Sequence, residues 1–453
     1  MTRTPLQLIS SSALLFLCAC LSATVSAQDI GAKIDEYMNA GVKLGRFSSV
    51  VLVARDGKIL VSKGYGMANY EDSTPLKPQT KFRLASVTKQ FTAMAILLLQ
   101  ERGKLKVEDL LCKYVEDCPP AWEPITIHHL LTHTAGVPNY TALSGYRELK
   151  TQHTTVASLI ARFKDRPLDF KPGERFRYSN SNYALLGHII ERVSGKTYGT
   201  FLQENIFGPL KMNASGYDPT SAILQQCAQG YERMNDNLIN VEPVALSVSY
   251  AAGGVYSTVE DLYRWSQALA TGKLVSEKTW AAMTTPFKES YAYGLIVDEQ
   301  LRRKHISHSG SIDGFVTFLG HYPNEKVTVI VLSNQGNSPS PYIARDLAAI
   351  VFGEKYDLPV ERKEIKVDPK VYAAYVGEYE RQPGRNFKVF LENNRLYLAY
   401  LGRPTIELLP EAADKFFVKI IDIQFGFVKD EKGQVTHLVL HQEGENIPVK
   451  KIK

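Results

Sequence analysis

Two hairpin patterns, lying far apart in the chain, constrain its fold more than any other feature. Each pattern consists of two apolar runs around a turn, residues 49–54 and 58–64 in the first and residues 315–321 and 326–333 in the second. Asp56 and Gly57 fill the first turn, and an Asp-Gly pair between apolar runs predicts a tight hairpin. Pro323 and Asn324 lie in the second turn, and residues 305–310 predict a strand before it. We therefore expect one antiparallel sheet built from both ends of a domain, with helical segments between them.

The motif that bears chemistry is Ser-Val-Thr-Lys at residues 86–89. Apolar residues follow it at helical spacing until Gly103, so the motif is predicted to begin a helix. Positions three apart share a helix face, which places Lys89 beside Ser86. A serine hydroxyl needs a neighbouring base to act as a nucleophile. The alternative is an ordinary helix cap with a solvated lysine, and the tetrapeptide alone does not exclude it.

Two further motifs follow in the chain. They are Tyr-Ser-Asn at residues 178–180 and His-Ser-Gly at residues 308–310, the latter before an apolar run. With these three motifs in this order, the sequence resembles the serine β-lactamase and penicillin-binding protein superfamily, particularly its class C-related branch of D,D-peptidases and esterases. The stretches 125–136 and 253–258 also look like this family. The resemblance covers about residues 31–355.

The resemblance implies an α+β fold, a β-lactamase-like antiparallel sheet of five strands covered by helices, with a helical subdomain beside it. The helix at residues 182–194, stopped by Gly195, belongs to the helical part. After a charge-rich connector at residues 361–366, short strand patterns separated by turn residues fill residues 367–453. They predict a small C-terminal all-β domain, similar to the lipocalin-like barrel of many relatives. The predicted strands are residues 387–391, 396–400, 416–420, 425–428 and 435–440.

The family resemblance also implies a role for each motif residue. Ser86 is expected to form an acyl-enzyme with an amide or ester carbonyl, and Lys89 to act as its base or proton relay. Tyr178 is expected to shuttle protons between the nucleophile, the leaving group and the deacylating water. Asn180 is expected to donate to a substrate amide carbonyl and to hold Lys89 in place.

The third motif is expected to lie on an edge strand that faces the nucleophile. Gly310 would allow close approach of the substrate, and the backbone N–H groups of Ser86 and Ser311 would form the oxyanion hole. His308 stands where β-lactamases carry a lysine, which removes a permanent positive charge and disfavours efficient β-lactam hydrolysis. Because histidine ordinarily titrates near pH ~6.5, we expect its help to an anionic substrate to grow as the pH falls through that region.

The N-terminus predicts export. Residues 1–27 show the features of a secretory signal peptide, with a basic residue, a short apolar core and a small-x-small cleavage site ending at Ala27. The apolar core is too short to predict a stable membrane span. We therefore expect a secreted or periplasmic protein. An imperfect lipobox before Cys20 leaves a lipid-anchored form as the alternative.

The remaining cysteines and histidines suggest structural roles. Cys112 and Cys118 flank a short segment and are candidates for a disulfide after export, which leaves Cys227 as a buried small residue. His129 and His133 are four residues apart but lack the glutamate of a metalloprotease helix, so no metal site is predicted. No cofactor is expected.

Charge and motifs together define the expected partners. The net charge of +6 is spread without long basic runs, which gives no support to nucleic-acid binding. The leading hypothesis is an exported serine hydrolase acting on D-amino-acid peptides, esters or β-lactams, and peptidoglycan fragments are among its candidate partners. The alternative is a non-hydrolytic peptidoglycan- or penicillin-binding protein of the same fold.

Overall fold

The structure is a computed structural model. It describes residues 27–217, 224–234, 237–242, 244–382, 385–400, 405–419, 423–442 and 445–453. The predicted signal peptide up to residue 26, with Cys20 inside it, lies outside these ranges. Within them, no helix is both long enough and apolar enough to cross a membrane.

The helices and strands alternate irregularly along the chain. The α-helices of the described residues are α1 Ala27–Lys43, α2 Thr88–Glu101, α3 Ile127–Leu131, α4 Tyr146–Leu149, α5 Val156–Lys164, α6 Asn180–Ser194, α7 Tyr198–Leu202, α8 Leu246–Gly253, α9 Val259–Ala270, α10 Glu277–Met283 and α11 Ser340–Phe352. The first nine strands are β1 Ser49–Arg55, β2 Lys58–Tyr65, β3 Met67–Asn69, β4 Thr74–Pro75, β5 Phe82–Arg83, β6 Gly216–Tyr217, β7 Tyr231–Met234, β8 Asn237–Asn240 and β9 Val255–Ser257. The remaining strands are β10 Ile296–Gln300, β11 Arg303–Ile312, β12 Phe315–Tyr322, β13 Val327–Ser333, β14 Gly377–Gln382, β15 Arg385–Glu392, β16 Arg395–Tyr400, β17 Ile406–Pro410, β18 Lys415–Phe417, β19 Gln424–Lys429, β20 Val435–Gln442 and β21 Glu445–Lys451.

The main sheet joins the two hairpins as predicted. Its strand order is β10-β11-β12-β13-β1-β2, with antiparallel pairing throughout. Strand β1 pairs with β13, so that Val51 lies opposite Val331 although 280 residues separate them. Both turn residues of the first hairpin have positive φ, 51° at Asp56 and 77° at Gly57, which suits a two-residue turn that follows the twist of the strands.

The predicted strand number was wrong by one, because the sheet has six strands. The additional strand is β10, which lies at the edge and is only partly buried. Its sequence, Ile-Val-Asp-Glu-Gln, carries two apolar residues followed by three polar ones, so it shows no period-2 alternation.

Strand β1 has apolar side chains on both of its faces, and helices cover both. Val51 and Val53 belong to a core with α1 and α11, whereas Val50 and Leu52 belong to the larger core that contains α2. Helix α2 is buried from Thr88 to Leu99, as expected for a helix surrounded on all sides. It packs against α6 and α8, and α6 also contacts α3, α5 and α7, which together form the helical subdomain.

The two predicted helix boundaries near the motifs shift by two residues. Ser86 lies in a short 3₁₀ turn, Ala85–Val87, and α2 begins only at Thr88. Helix α6 begins at Asn180 rather than at residue 182 and ends at Ser194 as predicted. Each of the two motifs therefore lies at the start of a helix.

The C-terminal strands β14–β21 form a closed barrel, which confirms the all-β prediction. Five strands were predicted and eight are present, and the predicted strand end at Ile420 lies outside the described residues. Aromatic side chains occupy the barrel centre: the Phe427 ring stacks on Tyr375 at 4.4 Å between centroids and lies 5.5 Å from Phe416. The barrel interior is thus a packed core.

The cysteines of the described residues follow the predicted pairing. Cys112 and Cys118 are joined by a disulfide, with their Cα atoms 5.3 Å apart. Cys227 is a free thiol and is only partly buried, so it is more exposed than the sequence suggested. Burial raises the pKa of its thiol above the ordinary value.

Replacing Phe427 by alanine tests the packed barrel. Because its ring contacts several buried aromatic rings, we expect Phe427→Ala to lower the free energy of barrel unfolding by about 3–5 kcal/mol. The matched control is Phe390→Ala, since Phe390 is only partly buried and lies outside the barrel core. Urea unfolding monitored on the barrel measures both variants, and equal losses would contradict a packed interior.

Candidate active site

The turn that carries Ser86 is fixed on both sides. Ala85 and Val87 are buried, and Ala85 has a φ of 48°, a strained conformation for a residue with a side chain. The preceding carbonyl, Leu84 O, accepts a hydrogen bond of 2.7 Å from the Thr317 hydroxyl in strand β12. Ser86 itself is partly exposed. A rigid turn therefore presents one accessible hydroxyl.

Lys89 lies one helical turn below Ser86 and is fully buried. Its Nζ is 3.1 Å from Ser86 Oγ, 2.9 Å from Asn180 Oδ1 and 2.7 Å from the Ala252 carbonyl oxygen. Burial lowers the pKa of this amine well below its usual value, because desolvation disfavours the charged form. The two carbonyl oxygens can only accept, so a neutral amine donates to both and turns its lone pair towards the Ser86 hydroxyl. This is the geometry of a general base.

The two acceptors of Lys89 are themselves held in place. Asn180 Nδ2 donates to Thr141 Oγ1 at 3.2 Å, which directs its oxygen towards Lys89. The Ala252 carbonyl belongs to helix α8, which is distorted at Tyr250 by a φ of 40° and a ψ of −135°. Sequence reasoning missed Ala252, because a backbone carbonyl contributes no side-chain signal.

Tyr178 completes the group around the nucleophile. Its hydroxyl lies close to the Ser86 side chain, and Lys89 Nζ lies 4.8 Å from the centre of its ring. Burial raises the pKa of Tyr178 above that of a free phenol. The neutral phenol is therefore the resting form, which suits a proton donor to the leaving group.

Strand β11 runs directly against the Ser86 turn. A Cβ atom on Gly310 would lie 2.2 Å from Leu84 O and 2.9 Å from the backbone nitrogen of Ser86, so only glycine fits there. Strand β10 pairs with β11 only as far as Ser307, which leaves the following residues of β11 unpaired on that edge. Ser311 is exposed next to this contact. Its role as the second oxyanion donor stays a prediction.

His308 does not behave as the sequence suggested. Its side chain is buried, with Nε2 3.1 Å from the Tyr291 hydroxyl and Nδ1 2.6 Å from the Ser309 carbonyl oxygen. Burial, together with the charge of Lys89 when protonated, lowers the pKa of His308 to about 3. The expectation of titration near pH ~6.5 was wrong, because it assumed an exposed imidazole. His308 is neutral at physiological pH.

The remaining histidines have no metal-binding arrangement. No group of three histidine, cysteine or acidic side chains within the described ranges is placed to hold a metal ion. His129 caps helix α3 through the backbone nitrogen of Thr126. His133 lies instead against Tyr178, with ring centroids 4.3 Å apart, and Tyr291 lies beside both. Sequence reasoning did not find Tyr291, which belongs to no motif.

The comparisons with known proteins agree with this site. A family model described as Beta-lactamase matches residues 32–352, and a domain of unknown function (DUF3471) matches residues 361–451. The chain is 30% identical over 425 residues to Penicillin-binding protein 4* of Bacillus subtilis (strain 168), covering 88% of this chain and 94% of that protein. The chain therefore belongs to the beta-lactamase family.

Solved structures show the same likeness. The octameric penicillin-binding protein homologue from Pyrococcus abyssi superposes with a TM-score of 0.66 at 29% identity, covering 92% of this chain and 99% of that one. A D-stereospecific amidohydrolase from Streptomyces sp. has a TM-score of 0.60 at 25% identity, covering 72% and 98%. Family and neighbours together support an activity of the serine hydrolase or penicillin-binding type.

The state of Lys89 is tested by Lys89→Arg. A guanidinium stays protonated and cannot accept the Ser86 proton, so we expect kcat to fall by about 10²-fold or more. In the unaltered protein, kcat/KM is expected to fall on the acid side as the pH drops through the lowered pKa of Lys89, because only the neutral amine is a base. Rates on a neutral ester measure both effects. Lys104→Arg, at an exposed position beyond α2, is the control, and full activity of Lys89→Arg would contradict the assignment.

Proposed function

We propose that this chain is an exported serine hydrolase that cleaves neutral amides or esters through an acyl-enzyme on Ser86. The observation that carries the proposal is the buried Lys89 amine, held by Asn180 and Ala252 with its remaining contact on the Ser86 hydroxyl. A lysine at a solvated helix cap, the alternative that the tetrapeptide left open, would not be fully buried.

Acylation follows from this geometry. As Ser86 Oγ bonds to the substrate carbonyl carbon, its proton moves to neutral Lys89, and the backbone N–H groups of Ser86 and Ser311 receive the oxyanion. When the tetrahedral intermediate collapses, the Tyr178 phenol gives its proton to the leaving amine or alkoxide. The Lys89 ammonium then returns a proton to Tyr178, which restores both groups.

Deacylation uses the same groups with water in place of serine. The water loses a proton to the neutral Lys89 amine as it attacks the ester carbonyl, and Ser86 leaves with a proton from the Lys89 ammonium, directly or relayed through Tyr178. No charged group accumulates over the full cycle.

The substrate is proposed to be neutral at the end that faces His308. With its pKa lowered to about 3, His308 supplies no positive charge for a carboxylate at physiological pH. D-amino-acid amides and short esters therefore fit better than carboxylate-bearing β-lactams or D-Ala-D-Ala peptides. The likeness to a D-stereospecific amidohydrolase supports the amide class.

Peptidoglycan fragments that lack a free carboxylate at that end remain among the proposed substrates.

Export is proposed from the sequence pattern of residues 1–27, with lipid anchoring at Cys20 as its alternative. The division into residues 31–355 and 367–453 is supported by the two family matches, which meet near the same connector.

A penicillin-binding protein without turnover is the second candidate, and the name of the Bacillus subtilis relative favours it. Such a protein would be acylated by penicillin but would not release the acyl group. The contacts of Lys89 with Ser86 and Asn180, together with Tyr178 beside Ser86, support a full cycle and so favour the hydrolase.

Mass spectrometry of Ser86→Ala tests the proposed function. We expect the unaltered protein to turn over a short neutral ester through a transient adduct on Ser86, and the variant to show neither adduct nor turnover while remaining folded. Unchanged turnover in Ser86→Ala would refute the nucleophile. A persistent penicillin adduct without ester turnover in the unaltered protein would identify the binding protein instead.

The protonation of His308 gives a separate test. We expect the ratio of kcat/KM for a cephalosporin to kcat/KM for a neutral ester to stay constant between about pH 5.5 and 8.5, because a buried imidazole with a pKa of about 3 stays neutral there. His308→Lys, which offers a cationic side chain, is expected to raise the ratio. A ratio that climbs in the unaltered protein as the pH falls through ~6.5 would show that His308 titrates normally.

A further inference from the structure

One residue outside the three motifs, His133, holds the catalytic tyrosine from several directions. The His133 carbonyl oxygen accepts a hydrogen bond of 2.9 Å from the backbone nitrogen of Arg177, and its Nδ1 accepts one of 3.2 Å from the backbone nitrogen of Ser179. Its ring packs on the Tyr178 ring with centroids 4.3 Å apart and planes inclined by 38°. His133 therefore contacts both chain neighbours of Tyr178 by hydrogen bonds and the Tyr178 ring by packing.

This support matters because the tyrosine segment has no regular structure of its own. Residues 175–179 belong to no helix or strand, and α6 begins only at Asn180. A ladder of backbone hydrogen bonds does not fix such a segment, so its orientation depends on individual contacts. His133 supplies two of those contacts, one on each side of Tyr178.

The backbone of His133 is itself in an unusual conformation. Its φ is 56°, in the left-handed region that residues with a side chain rarely adopt. Strain of this kind persists where surrounding contacts over-determine the position, and it often marks a functional site. The side chain of His133 is fully buried at this point.

The contacts also define the protonation state of the imidazole. Nδ1 faces two donors, the Ser179 backbone nitrogen and Asn182 Nδ2 at 3.3 Å, so it must carry the lone pair. Burial lowers the pKa of His133 well below its usual value, and a positive charge on Lys89 or His308 would lower it further. The ring is therefore neutral with its proton on Nε2.

We propose that His133 is a positioning residue for catalysis, which sets the place of the Tyr178 hydroxyl at Ser86 through its Nδ1 acceptor and its ring face. The proposal rests on the proposed function, since it assigns His133 to the proton transfer that Tyr178 performs. A displacement of a catalytic group by about 1 Å costs on the order of 10² in rate, so loss of either contact is expected to act on kcat.

Two substitutions separate the contacts. His133→Phe keeps an aromatic ring against Tyr178 but removes the acceptor, and His133→Asn keeps a short acceptor and tolerates positive φ but removes the ring. We expect each to lower kcat on a neutral ester by about 10-fold or more with KM changed less than about 2-fold. His129→Asn is the matched control, because Nδ1 of His129 also accepts a backbone N–H but lies away from Tyr178, and it is expected to keep kcat.

A double-mutant cycle with Tyr178→Phe decides whether His133 acts through the tyrosine. We expect His133→Asn to change kcat by less than about 2-fold in the Tyr178→Phe background, because no phenol remains to be positioned. Counting active sites by burst amplitude corrects for any misfolded fraction. Full and independent losses in the double variant would overturn the proposal. If the unaltered protein forms no Ser86 acyl-enzyme at all, the proposed function fails instead.

The tautomer provides a readout that needs no variant. In the unaltered folded protein labelled with ¹⁵N-histidine, we expect an imidazole with unprotonated Nδ1 and protonated Nε2 that stays unchanged between about pH 5.5 and 8.5. Its assignment comes from contacts to the Tyr178 ring. A protonated Nδ1, or an imidazolium in this range, would remove the acceptor on which the proposal depends.

Discussion

The burial of one amine without a carboxylate partner is the constraint on which the site depends. Lys89 lies fully inside the protein, and within the described residues it contacts two carbonyl oxygens and one hydroxyl but pairs with no acid. Burying a charged ammonium in this way would cost far more than the contacts return, so the amine gives up its proton. An ion pair would have stabilised the charged form and removed the base. The neutral acceptors therefore leave Lys89 in its uncharged, basic form.

The fold brings these acceptors together from distant parts of the chain. Strand β1 pairs with β13, which closes the sheet between the two ends of the domain and brings β11 against the Ser86 turn. Helix α2 packs against α6 and α8, so Asn180 reaches Lys89 from one side and Ala252 from another. Three segments more than 60 residues apart therefore meet at one nitrogen atom.

The sequence predicted what local patterns encode. Asp56-Gly57 predicted the first hairpin, and the first two motifs predicted Ser86, Lys89 and Tyr178, which the structure brings together. The lowered pKa of His308 could not be read from the sequence, because it arises from burial under residues that are remote in the chain. Ala252 was missed because its contact is a backbone carbonyl, and Tyr291 because it belongs to no motif. The spacing of the histidines marked His133 only as not metal-binding. Edge strand β10 was missed because it is partly exposed and its sequence does not alternate between apolar and polar residues.

One property unites the groups around Ser86. Burial moves the pKa of Lys89, His133 and His308 downwards and that of Tyr178 upwards, and each shift favours the neutral form. These four groups therefore rest uncharged, and in the proposed reaction charge develops only as the oxyanion and the ammonium form. Fixed dipoles that face this developing charge stabilise the transition state more than the ground state. Under the proposed function, a substrate carboxylate that faces His308 would meet a neutral imidazole, so the desolvation that favours the neutral lysine would also disfavour anionic substrates.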